Sequence, residues 1–154
     1  MRRLRWGLIS VMTALVVIQV IPYGRDHTNP PVVAEPVWDS TQTRDLAVRA
    51  CFDCHSNETG WPWYSNVAPL SWLLQRDVEE GRETLNFSEW NRPREGEEAA
   101  ETVREGSMPP GPYLLTHPDG RLTDTELTAL ADGLTATLGD EGREGGEQGE
   151  DNDD

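Results

Sequence analysis

Two cysteines and a histidine stand together in the segment Cys-Phe-Asp-Cys-His, residues 51–55. Cys51 and Cys54 are the only cysteines of the chain, and His55 is one of its three histidines. At 154 residues the chain holds one small domain plus appendages. A cluster of strong ligands in so short a chain constrains the fold more than any other segment, and it predicts a site where the three side chains act together.

Several kinds of site use two cysteines at this spacing, and they differ in what else they need. A structural zinc site needs two more ligands, and the chain has no second cysteine pair. A thioredoxin-like redox pair follows a strand in a βαβ unit, whereas the sequence here has a helical pattern. A disulfide leaves His55 without a role. Covalent haem attachment uses all three residues: Cys51 and Cys54 form thioethers, and His55 is the proximal iron ligand. We therefore predict one covalently bound haem c, with a disulfide or a zinc site as the alternatives.

A six-coordinate haem iron needs a second axial ligand from elsewhere in the chain. Outside the N-terminal segment 1–25, Met108 is the only methionine, and it lies among prolines and glycines. Methionine more often fills a gap in a core, but this polar, proline-rich setting favours a ligand role. His117 is the alternative distal ligand, and an open or water-bound iron is the third possibility.

Residues 1–25 predict a membrane anchor. Nineteen uncharged, mostly apolar residues separate Arg5 from Arg25, and about 20 helical residues span a bilayer core. A cleaved signal peptide is the alternative, although no small-residue cleavage site follows the apolar stretch. Arg2, Arg3 and Arg5 favour a cytoplasmic N-terminus. We expect a single-pass protein of the cell membrane that contacts lipid through this helix, with the rest of the chain facing the periplasm or cell exterior.

Beyond the anchor the sequence divides into three segments. Residues 26–38 contain three prolines and predict an extended tether. Residues 39–138 have helical periodicity and predict an all-α domain of about four short helices with long loops around the haem. Residues 139–154 contain eight acids and one arginine and predict a disordered acidic tail.

Helical periodicity is clear in two stretches of this domain. A stretch beginning at Ser40 predicts a helix that leads into the cysteines, with Ser40, Thr41 or Thr43 as its cap. A second begins at Pro69 and ends near Gly81, and we expect its leucines and a valine to share one face. The two apolar faces are Leu46, Ala47, Ala50 and Cys51 in the first helix, and Leu70, Leu73, Leu74 and Val78 in the second.

The last predicted helix has the clearest start signal. Thr123 and Glu126 form a capping box, and Gly139 is the expected end of the helix. A weaker, acidic helix is expected to end at Gly106. The segment 107–113 between these helices is expected to be irregular, because its prolines lack hydrogen-bond donors and fix the backbone.

The net charge limits the possible partners. The chain has 28 acidic residues and 13 basic ones, which gives a formal charge of −15. Such a chain repels the phosphates of nucleic acids, so we do not expect it to bind DNA or RNA.

The segment from Cys51 to Trp90, followed by residues 108–127 with the sequence MPPGPYLLTHPDGRLTDTEL, closely resembles the bacterial haem-binding domain family. The resemblance covers nearly all of residues 38–138. More loosely, an early CxxCH, a late Met-Pro loop and a capped C-terminal helix look like single-haem cytochromes c, which implies a small, all-α, cytochrome c-like fold. Members of the haem-binding domain family are small, usually begin with a membrane anchor and carry one CxxCH motif. The resemblance implies thioether positions at Cys51 and Cys54 and a proximal ligand at His55. Met108 and His117 both match the family pattern, so the resemblance leaves the distal ligand open.

Three aromatic residues follow the motif closely, and we expect them to pack around the porphyrin: Trp61, Trp63 and Tyr64. An ordinary aromatic core is the alternative. Beyond the haem the chain shows no candidate for acid–base or nucleophilic catalysis. The sequence thus favours an electron carrier that exchanges electrons with redox partner proteins. An open-site haem sensor, a peroxidase-like enzyme and a structural haem module of a larger membrane complex are the alternatives.

Overall fold

The computed structural model describes residues 2–91 and 98–144. In these ranges the chain forms seven α-helices and no β-strand, and one isolated bridge pairs Ala34 with Glu89. The predicted all-α class is confirmed, with more helices than the four expected. The helices are α1 (Arg2–Val17), α2 (Thr41–Ala50), α3 (Phe52–His55), α4 (Leu70–Thr84), α5 (Ala99–Arg104), α6 (Gly111–Thr116) and α7 (Asp124–Glu144), with 3-10 turns at Ile18–Val20, Trp63–Asn66 and Pro118–Gly120.

The N-terminal helix is the most apolar element of the molecule. Arg2–Val20 spans 19 residues with a mean hydropathy of 1.4, and none of this window is buried against the rest of the protein. It is long and apolar enough to cross a membrane, a property that membrane anchors share with signal sequences.

The helix before the cysteines forms as its sequence predicts. The Ser40 hydroxyl accepts a hydrogen bond from the backbone N–H of Thr43 at 3.1 Å, which caps the first turn of α2. Leu46, Ala47 and Ala50 are buried on one face of α2. α3 follows directly, so the thiols and the imidazole of residues 51–55 belong to a helical corner.

The last helix begins as predicted and ends later. Glu126 accepts a hydrogen bond from the backbone N–H of Thr123 at 2.8 Å, and the Thr123 hydroxyl accepts one from the N–H of Glu126 at 3.3 Å. These two bonds form the predicted capping box. The expected end at Gly139 is wrong, because α7 continues to Glu144. A single glycine costs a helix only about 1 kcal/mol, which does not by itself end it. Residues 145–154 of the predicted tail lie outside the described residues.

The buried face of α4 differs from the predicted one. Leu70 and Leu73 are 44% and 51% exposed, and the buried residues of α4 are Ser71, Val78 and Gly81. Val78 is buried as predicted. Gly81 is buried because α4 packs closely against α3 at this position, where a Cβ would lie 2.5 Å from the Cys54 carbonyl oxygen, and Ser71 lies against Gly24. The helix also runs past the expected end at Gly81 to Thr84.

The segment 107–113 is irregular only in its first part. α6 begins at Gly111, directly after Pro110, and includes Pro112 in its first turn. Proline is tolerated there because the first N–H groups of a helix have no intrahelical partner. The prediction of an irregular segment therefore holds for the residues around Met108 and is wrong for Gly111–Tyr113.

Residues 26–38 are extended, but they lie against the domain. The N–H of Val33 donates to the Ser88 carbonyl at 2.8 Å, and the N–H of Trp90 donates to the Ala34 carbonyl at 3.0 Å. The segment therefore forms part of the folded domain, unlike a free tether.

The core lies where α2, α5 and α7 meet the aromatic residues that follow α4. α7 packs against both α5 and α2, and α3 packs against α4. The Phe87 ring is central: its centroid lies 5.1 Å from that of Trp38, 5.6 Å from Phe52 and 5.9 Å from Trp90. The buried apolar cluster consists of Leu46, Ala47, Ala50, Phe52, Leu85, Phe87, Trp90, Ala100, Val103, Leu130, Ala131 and Leu134.

Candidate functional site

A cavity of about 490 Å³ opens between the cysteine–histidine corner and helices α5 and α7. This volume is typical of sites that bury a small molecule or cofactor. Its wall is mainly apolar, with a few polar groups. The lining residues are Ala50, Cys51, His55, Thr84, Leu85, Phe87, Glu98, Ala99, Thr102, Val103, Met108 and Leu134.

The imidazole of His55 is held in one orientation at the cavity wall. Its Nδ1 atom lies 3.0 Å from the Gly81 carbonyl oxygen and 3.1 Å from the Leu85 carbonyl oxygen. Carbonyl oxygens only accept hydrogen bonds, so Nδ1 carries the proton and Nε2 keeps its lone pair. Burial lowers the pKa of His55, which favours the neutral ring. A neutral imidazole whose other nitrogen donates to a carbonyl is the form in which histidine binds metals.

Gly81 makes this arrangement possible. A Cβ atom at this position would lie 2.5 Å from the Cys54 carbonyl oxygen and 3.0 Å from the Cys54 carbonyl carbon. The contact is with the backbone, so a side chain at position 81 would push α4 away from α3. The Gly81 carbonyl, which accepts the His55 N–H, would move with it. Gly81 is therefore a positioning residue for His55 that the sequence alone did not reveal.

The two thiols differ in their relation to the cavity. Cys51 is part of the wall, whereas Cys54, also half-buried, is not among the lining residues. Burial raises the pKa of Cys51 to about 12 and that of Cys54 to about 11, so both are protonated thiols at neutral pH. They are not joined by a disulfide. Within the described residues, no group of three or more His, Cys, Asp or Glu side chains is arranged to hold a metal ion.

Met108 lies at the cavity and remains partly exposed. Its side chain lines the wall, and the residue is 38% exposed. Both its N–H and that of Ser107 donate to the Thr102 carbonyl, at 3.2 and 3.1 Å. These bonds attach the loop to the end of α5, so a thioether is available at a cavity that also contains an imidazole.

His117 lies outside the cavity wall, in a small polar cluster. Its ring stacks on Tyr113 with centroids 4.1 Å apart, and its Nδ1 lies 3.1 Å from the Tyr113 carbonyl oxygen. The Tyr113 hydroxyl donates to Asp53 Oδ2 at 2.8 Å, and His117 Nε2 lies 3.8 Å from the same oxygen. The structure thus brings Met108 together with His55 and Cys51, and leaves His117 among other partners.

The three aromatic residues expected around the porphyrin lie elsewhere. None of Trp61, Trp63 and Tyr64 is among the lining residues. Trp61 stacks on His27 with centroids 4.8 Å apart, and Trp63 is 79% exposed. The aromatic ring at the cavity is Phe87, which the sequence pattern did not assign to the site. After His55 the chain leaves the cavity wall and returns to it at Thr84, the last residue of α4, so closeness in sequence to the motif does not place these three residues at the cavity.

Helix α5 supplies a part of the wall that was not predicted. Ala99, Thr102 and Val103 line the cavity, together with Glu98 at the helix N-terminus. The stretch reads as a short, acidic helix whose apolar side has only a few alanines and one valine. Its periodicity indicates a helix, and only its packing against α7 places this side at the cavity.

The cavity, its oriented imidazole and its thiol wall define a helical cofactor-binding domain. The model of the haem-binding domain family matches residues 13–136, and the chain belongs to this family. The chain matches no curated protein and no solved structure. Haem is thus the cofactor, and the residues present fit it. Among the described residues His55 Nε2 has no hydrogen-bond partner, and it borders a mainly apolar cavity that also contains the Met108 thioether.

Proposed function

We propose that this protein is a one-electron carrier with a single haem c, held at the outer face of the cell membrane. The observation that carries the proposal is the cavity wall, which combines the oriented imidazole of His55, the thiol of Cys51 and the thioether of Met108. Haem, when bound, supplies the ferric–ferrous couple. The apolar wall of the cavity excludes water from that group.

Cys51 and Cys54 make the attachment covalent. Each thiol would hold the haem by adding its S–H across one vinyl group, with the sulfur bonding to one carbon and the hydrogen passing to the other. No oxidant is consumed, and both thiols must be reduced beforehand. The test is extraction of the purified protein with acid acetone. We expect the haem to stay with the wild-type chain and to be extracted from the Cys51→Ala/Cys54→Ala variant. Complete extraction from the wild type would show that the haem is not covalently bound.

His55 and Met108 would hold the haem iron, His55 through Nε2 and Met108 through its thioether sulfur. An imidazole and a thioether together raise the reduction potential and leave no position for a substrate, which suits electron transfer. The reduced protein is therefore expected to bind carbon monoxide slowly and incompletely at neutral pH. A reduction potential well above zero is expected as well, since two histidines would give a clearly negative value.

An open-site haem sensor or peroxidase-like enzyme is the second candidate. It is favoured by the exposure of Met108, 38%, and by the polar groups of Glu98 and Thr102 in the cavity wall. Fast and complete carbon monoxide binding by the reduced wild type would support this candidate against the carrier. Copurification of a partner complex from membranes would instead support a structural haem module.

The N-terminal helix anchors the domain in this proposal. Arg2, Arg3 and Arg5 keep its start in the cytoplasm, so the haem domain and its redox partner proteins are on the periplasmic or outer side. Flotation with membrane vesicles after an alkaline wash tests the anchor. A cleaved signal would instead release a protein that lacks residues 1–25.

A further inference from the structure

Four exposed apolar side chains form a patch at the start of α4. They are Trp63 (79% exposed), Val67 (41%), Leu70 (44%) and Leu73 (51%). Leu70 and Leu73 are three positions apart on one helix and so share a face, and the turn with Trp63 immediately precedes it. Single exposed apolar residues need no explanation, whereas four of them within residues 63–73, at the start of one helix, point to an interaction surface. We call these four residues the α4 patch.

The end of the N-terminal helix is attached beside this patch. Gln19 Nε2 donates to the Ala68 carbonyl at 2.9 Å, and the Ala68 N–H donates to Gln19 Oε1 at 3.1 Å. Ala68 directly follows Val67 of the patch. A few residues later the Tyr23 hydroxyl donates to Glu79 at 2.7 Å. The end of the apolar helix therefore contacts the domain next to the patch.

The exposed side of α4 changes character along its length. Its first two turns carry Leu70 and Leu73, whereas an ion pair between Arg76 and Glu80 at 2.7 Å begins the charged part. At 1.5 Å per residue, Glu80 lies about 15 Å along the helix from Leu70. The apolar part is the end next to Ala68, where the N-terminal helix is attached.

We propose that the α4 patch rests on the lipid bilayer surface around the N-terminal helix, with Trp63 at the level of the headgroups. The proposal depends on the membrane anchor proposed above. Tryptophan is enriched at that level because its ring is apolar and its N–H needs a polar partner. The N-terminal helix and the α4 patch are both apolar, and the end of the helix adjoins the patch. The bilayer that surrounds the helix therefore also reaches the patch. The patch then fixes the orientation of the haem domain to the membrane.

The test uses the full-length holoprotein in phosphatidylcholine vesicles. In the proposed holoprotein Cys51 and Cys54 form thioether bonds, so an introduced cysteine is its only reactive thiol. Two variants, Leu73→Cys and Trp63→Cys, place a thiol in the patch. Thr125→Cys, at an exposed position in α7, is the matched control. A large water-soluble maleimide and a small lipid-soluble maleimide are added, and mass spectrometry counts labelled chains that carry haem. We expect the water-soluble reagent to label both patch positions several times more slowly than position 125, with no such difference for the lipid-soluble reagent.

The outcomes separate this inference from the proposals on which it depends. Equal labelling at all three positions by the water-soluble reagent would overturn the contact with lipid, even if the protein floats with the vesicles. If both reagents label the patch positions slowly, and labelling becomes fast when the protein is diluted with lipid, a second copy of the chain covers the patch. That result would also overturn the contact with lipid. Protein that does not float would contradict the anchor, and label on Cys51 or Cys54 would contradict covalent haem attachment.

Discussion

The two sides of the cavity are built differently. On the His55 side, the imidazole Nδ1–H donates hydrogen bonds to two carbonyl oxygens, and the N–H of Phe87 donates to the His55 carbonyl at 2.8 Å. The next residue, Ser56, is fully buried, and its hydroxyl donates to the Phe52 carbonyl at 2.8 Å. On the other side, Met108 is partly exposed, and α6, which follows it, has no buried residue.

This difference indicates how the site is organised. The imidazole of His55 is pre-organised by the fold, because the backbone carbonyls of Gly81 and Leu85 determine its orientation and its tautomer. Met108, the proposed distal ligand, is carried by a loop that is attached at its start to Thr102 and farther along through Tyr113 to Asp53. We therefore expect substitutions on the His55 side to disturb both fold and iron site, and substitutions on the Met108 side to change the iron site alone.

The largest effect is expected for His55→Ala. It removes the oriented nitrogen, so the low-spin spectrum of the ferric protein should be lost. Low-temperature electron paramagnetic resonance measures this directly. His117→Ala is the control, because the ring of His117 lies outside the cavity. The electron paramagnetic resonance signal of this variant should match that of the wild type. If His117→Ala changes the iron signal and Met108→Ala does not, the distal ligand is His117.

Met108→Ala comes next and tests the more loosely held side. The weak near-infrared band of the oxidised protein should disappear, and carbon monoxide should bind the reduced protein quickly. Absorption spectroscopy measures both changes. Leu115→Ala, on the neighbouring helix α6 at a residue that is 77% exposed, should change neither. A retained near-infrared band in Met108→Ala would contradict the thioether ligand.

Gly81→Ala tests how strictly the His55 side is packed. The added Cβ would lie 2.5 Å from the Cys54 carbonyl oxygen, so we expect a loss of about 1–3 kcal/mol in the free energy of unfolding. Denaturant titration followed by circular dichroism measures it. Gly111→Ala is the matched control on the other side, because no heavy atom lies within 4 Å of its added Cβ. Equal losses in both variants would mean that the two sides do not differ in packing.

The smallest effect is expected for Tyr113→Phe. It removes the hydrogen bond to Asp53, which is worth about 1 kcal/mol, and loosens the Met108 loop. A somewhat faster carbon monoxide reaction with a nearly unchanged reduction potential is the expected result. Tyr64→Phe removes a hydroxyl outside this contact and serves as control. A rate equal to that of the wild type would show that this bond does not restrain the loop.

Local sequence was sufficient for some elements. Ser40 caps α2, and Thr123 with Glu126 caps α7, because a capping bond joins residues within one turn. The same holds for the buried face of α2, where Leu46, Ala47 and Ala50 lie inside as predicted. The family resemblance is likewise confirmed by the match over residues 13–136.

Long-range packing decided the remaining features. Periodicity shows that α4 has an apolar stripe, but not that Gly81 would be buried against α3 and Ser71 against Gly24. In the same way, the carbonyl partners of His55 come from residues 26 and 30 positions away.

The sequence by itself determined the helical class, the cysteine–histidine motif at residues 51–55 and the apolar N-terminal helix, because each depends on neighbouring residues. Only the tertiary structure decided which imidazole nitrogen is left free, that Phe87 and α5 form the cavity wall, and that Met108 instead of His117 lies at it. These features depend on contacts between segments far apart in the chain, and such contacts form only where close packing brings particular backbones together.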